Sequence, residues 1–234
     1  MNSTAIKFAL AALAVPVAFF ALSNRNGTAI AAVASTVPAP VVDNPLASTP
    51  GQETAVFAGG CFWGIQAVFQ HVNGVKSAAS GYAGGHTSSP SYEEVSSGST
   101  GHAESVRVVF DPSKVSYGQL LHVFFAVAHD PTQLNRQGPD VGTQYRSELF
   151  YTNDAQKRIA NAYIDQLGKA KVFSRPIVTK VSSFGPFTVA EGYHQNYATL
   201  HPNDPYIRFN DAPKVEALRK EMSGMYKAEL SSWK

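Results

Sequence analysis

Thr54-Ala55-Val56-Phe57-Ala58-Gly59-Gly60-Cys61-Phe62-Trp63-Gly64-Ile65-Gln66-Ala67-Val68-Phe69-Gln70-His71-Val72 changes its hydrophobic period at the paired glycines. Before them, Thr54–Phe57 is a short apolar run of the kind a buried strand makes. After them, Ile65, Val68, Phe69 and Val72 recur at helical spacing, which predicts a helix over about Phe62–Val72. Asn73-Gly74 ends it. Cys61 therefore stands between a strand and a helix N-terminus. The glycines let the backbone turn sharply and let a ligand come close. First-turn amides and the helix dipole stabilise an anion there, so the Cys61 thiol is expected to ionise more readily than a free one. Phe62 and Trp63 are costly to expose and are expected to line an apolar pocket. The plain alternative is a buried cysteine that only packs.

Working outward, Val75–Tyr82 reads as a strand and Gly81–Pro90 as a Gly/Ser-rich loop. Glu104–Phe110 alternates, with Val106, Val108 and Phe110 on one face. Ser116, with Gln119 three residues on, is an N-cap signature. Leu120, Leu121, Phe124, Phe125 and Ala128 form the stripe of the helix it starts. Asp130–Tyr145 lacks periodicity and is a long loop, a place where function concentrates. Leu149–Tyr151 is a strand, Asp154 caps a further helix, Ile177–Val181 is a strand, a helix follows near Glu191–Leu200, and Pro213 opens a last one. The connections look too short for regular parallel crossovers. The expected fold class is α+β: a two-layer α/β sandwich with a mixed or antiparallel sheet and helices on one face.

Composition excludes several functions. The 234 residues carry 19 Lys+Arg and 17 Asp+Glu, a net charge of +2, which argues against nucleic acid or an anionic membrane as partner. One cysteine cannot form an internal disulfide or a Cys-based zinc finger. His122 and His129, and likewise His194 and His201, are seven residues apart, which is not a usual metal-site spacing. Residues 1–34 read as a secretory signal peptide: Lys7 in the n-region, an apolar Phe8–Leu22, and Ala32-Val33-Ala34 as a small-x-small cleavage site. That implies a periplasmic or secreted protein, with an uncleaved membrane anchor as the alternative. Residues 35–52, with Pro38, Pro40, Pro45 and Pro50, read as a flexible linker. Residues 53–234 are left as the catalytic domain.

A thiolate at Cys61 is compatible with two enzyme classes. A cysteine hydrolase or acyltransferase needs a His base and an orienting Asn or Asp; His194 and Asn196 are the candidates. The local signature opposes it, because Phe62 stands where papain-like enzymes have Trp or Tyr directly after the cysteine.

Gly60-Cys61-Phe62-Trp63-Gly64 resembles the signature of class A methionine sulfoxide reductases. The resemblance continues through Gly81-Tyr82-Ala83-Gly84-Gly85, Tyr92-Glu93-Glu94-Val95, Gly101-His102-Ala103-Glu104, His129-Asp130-Pro131-Thr132, Gly142-Thr143-Gln144-Tyr145-Arg146-Ser147 and Tyr193-His194-Gln195. It implies a sandwich with a ferredoxin-like core, no cofactor and no metal, and reduction of the S-epimer of methionine sulfoxide, free or in proteins. By that resemblance Cys61 is the nucleophile and Glu104 the acid. Tyr92 and Tyr145 hold the sulfoxide oxygen, Phe62 and Trp63 wall the methyl group, Asp140 is an acidic group of the site, and His194 supports it. Many relatives carry resolving cysteines in the C-terminal tail. Residues 201–234 contain none, so a thioredoxin-like protein or a small thiol is the expected reductant, acting on a monomer. A protein that binds oxidised methionine without reducing it is the third reading.

Overall fold

The computed structural model describes residues 37–234. The signal-peptide expectation over 1–34 lies outside the described residues. Six strands form one sheet: β1 (Glu53–Gly59), β2 (Val75–Ala83), β3 (Ala103–Phe110), β6 (Ser147–Tyr151), β7 (Lys180–Ser183) and β8 (Phe187–Val189), in the order β7-β6-β1-β3-β2-β8. Only β6 and β7 run parallel; the other pairs are antiparallel. Two-residue strands β4 (Arg136–Gln137) and β5 (Asp140–Val141) make a separate hairpin. Helix α1 (Phe62–Gln70) links β1 to β2, and α3 (Tyr117–Val123) with its π-turn Phe124–Ala128 follows β3. The inner order β6-β1-β3-β2 around α1 and α3 is the ferredoxin-like arrangement expected for a two-layer α+β sandwich.

Alternation along β1 divides the core. Ala55 and Phe57 face the helices; Val56 and Ala58 join Ala83, Ala103 and Phe150 on the opposite face. Both faces are buried, so β1 reads as an unbroken apolar run. Phe57 stacks on Phe69 of α1 at 4.5 Å and meets Phe124 at 5.2 Å between ring centroids. Each such ring contributes roughly 1.5–3 kcal/mol by leaving water. The Ser116–Gln119 capping box is formed as the sequence predicts.

Several boundaries differ from the sequence reading. Asn153, not Asp154, caps α4 (Asp154–Lys169), its side chain accepting from the Gln156 amide. The strand expected at Ile177–Val181 lies at Lys180–Ser183, where it pairs with β6. The helix expected over Glu191–Leu200 is a 3-10 turn, Gly192–His194, then left-handed Asn196 and the short α5 (Tyr197–Leu200). The break lets Gln195 leave the helical path. Its side-chain amide bonds both the N–H and the carbonyl of Ser80, acting as an extra ladder position beside β2. Helix α2 (Tyr92–Ser96) is an addition, opened by a Ser91/Glu94 capping box.

Residues 37–52 have the irregular backbone that their prolines dictate, but from Val37 onward they lie against the domain, unlike a free linker. Val37 is buried. The Gln166 amide clasps Ala39 and Val41, and the Tyr163 hydroxyl donates to the Pro38 carbonyl. Asp43 accepts from the Gly118 amide at 3.0 Å and from the Ser116 hydroxyl, closing the start of α3. The last helix, α6 (Ala212–Glu221), has Pro213 in its first turn. The tail beyond it crosses the C-terminal end of α1, with Lys227 N–H on the His71 carbonyl and Ser231 N–H on the Gln70 carbonyl.

Asp43→Ala removes a cap-like acceptor from α3 and frees the strap. The expected cost is about 1 kcal/mol, read as a lower urea midpoint. An unchanged midpoint would show that the strap adds nothing to stability.

Candidate active site

β1 ends at Gly59, and the chain turns at Gly60 with φ +100°. A Cβ there would sit 2.5 Å from Gln137 Cβ, so the turn requires glycine on both conformational and steric grounds. The turn delivers Cys61, buried, to the N-cap position of α1. The nearby Trp63 backbone N–H favours the thiolate, but the Cys61 side chain makes no capping hydrogen bond. The neighbouring first-turn amide, Phe62 N–H, donates 3.0 Å to the Glu104 carboxylate. Glu104 reaches it because its parity in β3 matches Val106, Val108 and Phe110, which face the helices.

Charge at the site departs from the sequence expectation. Burial pushes the Cys61 thiol well up, and negative charge on Glu104, when it ionises, and on Asp211 adds to it. The Trp63 amide and Lys214 oppose them without winning. The expected lowering at a helix N-terminus is thus overridden, because desolvation of a buried sulfur outweighs one amide and a partial dipole. Burial also pushes Glu104 up to about 8, against the Phe62 amide and with help from Asp140 and Asp211. Glu104 is therefore a neutral acid at neutral pH, which spares Cys61 a like charge.

The aromatic residues enclose this pair. Phe62 is buried against His194 and Tyr82. Trp63 stacks on Tyr197 at 3.8 Å and meets Tyr206 edge-on at 5.9 Å. The Tyr92 and Tyr145 phenols are raised by burial first, and both feel the charges of Glu104, Cys61 and Asp140. The structure thus brings these five sequence-predicted groups around one space. Asp140 comes from the β4–β5 hairpin and accepts the Tyr206 hydroxyl proton; burial raises its carboxyl.

His194 is placed as an aromatic scaffold. Its Nδ1 accepts from Trp63 Nε1 at 3.2 Å, and its ring lies 4.5 Å from Tyr92. Burial lowers its pKa, leaving it neutral. With Nδ1 accepting, the ring proton belongs on Nε2, which is 4.0 Å from Glu191. Neither nitrogen is aimed at Cys61 as a base, and Asn196 bonds Gln70 instead of orienting the imidazole. The hydrolase reading loses both its base and its orienter.

Four residues of this region escaped the sequence reading: Glu191, Tyr206, Asp211 and Lys214. Glu191 accepts from the Tyr82 hydroxyl at 2.8 Å and the Tyr92 amide at 2.9 Å. Asp211 and Lys214 at i,i+3 were the one available pattern; Glu191 and Tyr206 gave none. Among the described residues, no group of three or more His, Cys, Asp or Glu side chains could hold a metal ion.

A lone buried thiol at a helix start, a protonated carboxyl beside it and converging phenols define a thiol-dependent enzyme on an α+β sandwich. The chain belongs to the peptide methionine sulfoxide reductase family, whose model matches residues 53–226. It is 59% identical over 179 residues to a peptide methionine sulfoxide reductase of Mesorhizobium japonicum, covering 76% of this chain and 92% of that one. It is 50% identical over 195 residues to one from Synechocystis, covering 82% and 91%. Among solved structures it resembles reduced Mxr1 of Saccharomyces cerevisiae, at TM-score 0.58 and 32% identity over 68% of this chain and 94% of that one. It also resembles methionine sulfoxide reductase A of Corynebacterium diphtheriae, at TM-score 0.56 and 35% identity over 70% and 86%.

Glu104 yields a pH signature in stability. Its folded pKa lies above its unfolded one, so its favourable linkage is complete below the unfolded pKa of 4.5 and lost as pH rises through about 8. Glu104→Gln keeps an acceptor for Phe62 N–H and carries no charge. The variant should gain stability relative to wild type between pH 6 and pH 9 in urea unfolding. Parallel pH curves for the two proteins would contradict a protonated Glu104.

Proposed function

We propose that this protein reduces the S-epimer of methionine sulfoxide, free or within proteins, with Cys61 as nucleophile and Glu104 as acid. The observation that carries this is the neutral Glu104 carboxyl, fixed by the amide of the residue next to Cys61. A sulfoxide presents a strong S–O dipole, and reduction builds charge on oxygen. Preorganised O–H donors at that oxygen stabilise the transition state; Tyr92 and Tyr145 supply them. Glu104 delivers the proton the oxygen needs. Phe62 and Trp63 form the apolar wall for the methyl group. Asp140, held by Tyr206, and His194, held by Trp63, keep those walls in place.

The raised thiol pKa fits this order of events. Cys61 rests as a neutral thiol beside a neutral acid. The sulfur attacks the sulfoxide sulfur, the oxygen is protonated, and methionine departs. The oxygen ends on Cys61 as a sulfenic acid. Glu104's proton stays on that oxygen, the bond from the oxygen to the methionine sulfur breaks as the Cys61 S–O bond forms, and the thiol's proton replaces the one Glu104 gave. One face of oxygen donors and one apolar wall select one hand of the sulfoxide.

Recycling then requires a thiol from outside the chain. The C-terminal tail has no cysteine. The segment beyond α6 lies at the C-terminal end of α1, a nine-residue helix, roughly 13 Å from Cys61 at the usual rise. A small thiol or a thioredoxin-like protein attacks Cys61, and a second thiol clears the mixed disulfide. We also place the enzyme outside the cytoplasm, its mature chain beginning near Ser35. N-terminal sequencing from the native host checks this; intact residues 1–34 on a cytosolic protein would contradict it.

Single turnover tests the chemistry. Without reductant, each chain should release one methionine, and mass spectrometry should find one added oxygen on Cys61. Cys61→Ser should release none. Glu104→Gln should slow the chemical step by about 10²–10⁴-fold, as for loss of a general acid. A second methionine per chain without reductant, or activity in Cys61→Ser, would overturn the scheme.

A further inference from the structure

Asp211 occupies the N-cap of α6, yet its side chain caps nothing. An aspartate there ordinarily accepts from an amide of the first turn. Instead Oδ1 accepts from Lys214 Nζ at 3.0 Å, and Oδ2 is buried with no hydrogen-bond partner. Asp211 is 0% exposed and Lys214 4%. Stability does not account for such a pair, since apolar replacements of buried ion pairs are often neutral or better.

Its location is the first turn of α1. A Cβ on Gly64 would lie 2.1 Å from Asp211 Oδ1 and 2.9 Å from Lys214 Nζ. The pair therefore rests directly on the backbone three residues after Cys61, where any side chain would displace it. Tyr206, which meets Trp63 edge-on, immediately precedes the turn that ends at Asp211.

We propose that the buried Asp211–Lys214 pair is a positioning device for Cys61: it seats the first turn of α1 through Gly64 and sets the electric field in which the thiol ionises. The inference rests on Cys61 being the reactive group. The two members act on the sulfur with opposite sign, Asp211 disfavouring the thiolate and Lys214 favouring it. Burial is the larger cause at both groups, and Asp211 adds to it at the thiol and at Glu104. The other groups facing the thiol are Glu104 from β3, Tyr92 from α2, Tyr145 beyond the hairpin, and Tyr197 and Tyr206 beside Trp63; Asp140 from the hairpin faces Glu104 and the two phenols. These supply carboxyls and phenols; Lys214 is the opposing cation.

The test is the pH profile of Cys61 alkylation by iodoacetamide on the full chain, read by mass spectrometry, which does not depend on turnover. Asp211→Asn leaves the cation and should move the profile down by about one pH unit, a tenfold gain in thiolate below its midpoint. Lys214→Met should move it up. Asp211→Asn with Lys214→Met removes both charges and should fall below wild type by less than Asp211→Asn alone. If a single variant does not fold, the neutral double and the remaining single still separate the outcomes. Shifts of both singles in one direction, or superimposed profiles, would overturn the proposal. Cys61→Ser distinguishes that failure from failure of the catalytic reading, since loss of reduction in that variant does not depend on the pair.

Discussion

The hydrogen bond from Phe62 N–H to Glu104 ties the first turn of α1 to the central sheet, and the site's chemistry follows from it. A helix start has amides without internal partners. A strand carboxyl that supplies one must be buried under the helix. Burial makes it a neutral acid. The same contact holds that acid next to the only cysteine. Moving β3 by one residue would turn Glu104 to the opposite face of the sheet, and the acid and the thiol would part.

Around that bond the protein uses aromatic rings where many enzymes use charges. His194 is neutral, accepts from an indole and packs on four rings. The surroundings of Cys61 are aromatic walls and a few O–H groups, with the buried Asp211–Lys214 pair against Gly64. That suits a substrate that is a dipole and a leaving product that is a thioether. Burial in that pocket is the largest cause of the thiol's raised pKa.

Both ends of the described chain are fastened away from this pocket. The strap of residues 37–52 closes the start of α3 and clasps α4. The tail covers the far end of α1. Proline content alone suggests loose chain for the first of these; its backbone groups are instead taken by side chains of His122, Tyr163 and Gln166, which lie far off in sequence.

Local sequence determined what depends on neighbours in the chain. The strand-turn-helix around Cys61, the Ser116 capping box and the α+β class follow from periodicity, caps and glycines, interactions within a few residues. The resemblance carried by spaced motifs named Glu104, Tyr92, Tyr145 and Asp140 as members of one site. Tertiary structure decided their physical state. Whether Cys61 is acidic or not depends on burial and on Asp211, 150 positions away in the sequence. Whether His194 is a base depends on which ring nitrogen the Trp63 indole occupies. Glu191, Tyr206 and the Asp211–Lys214 pair act through contacts with β2, α1, α2 and the β4–β5 hairpin. Desolvation and long-range hydrogen bonds have no period, so no window of sequence displays them.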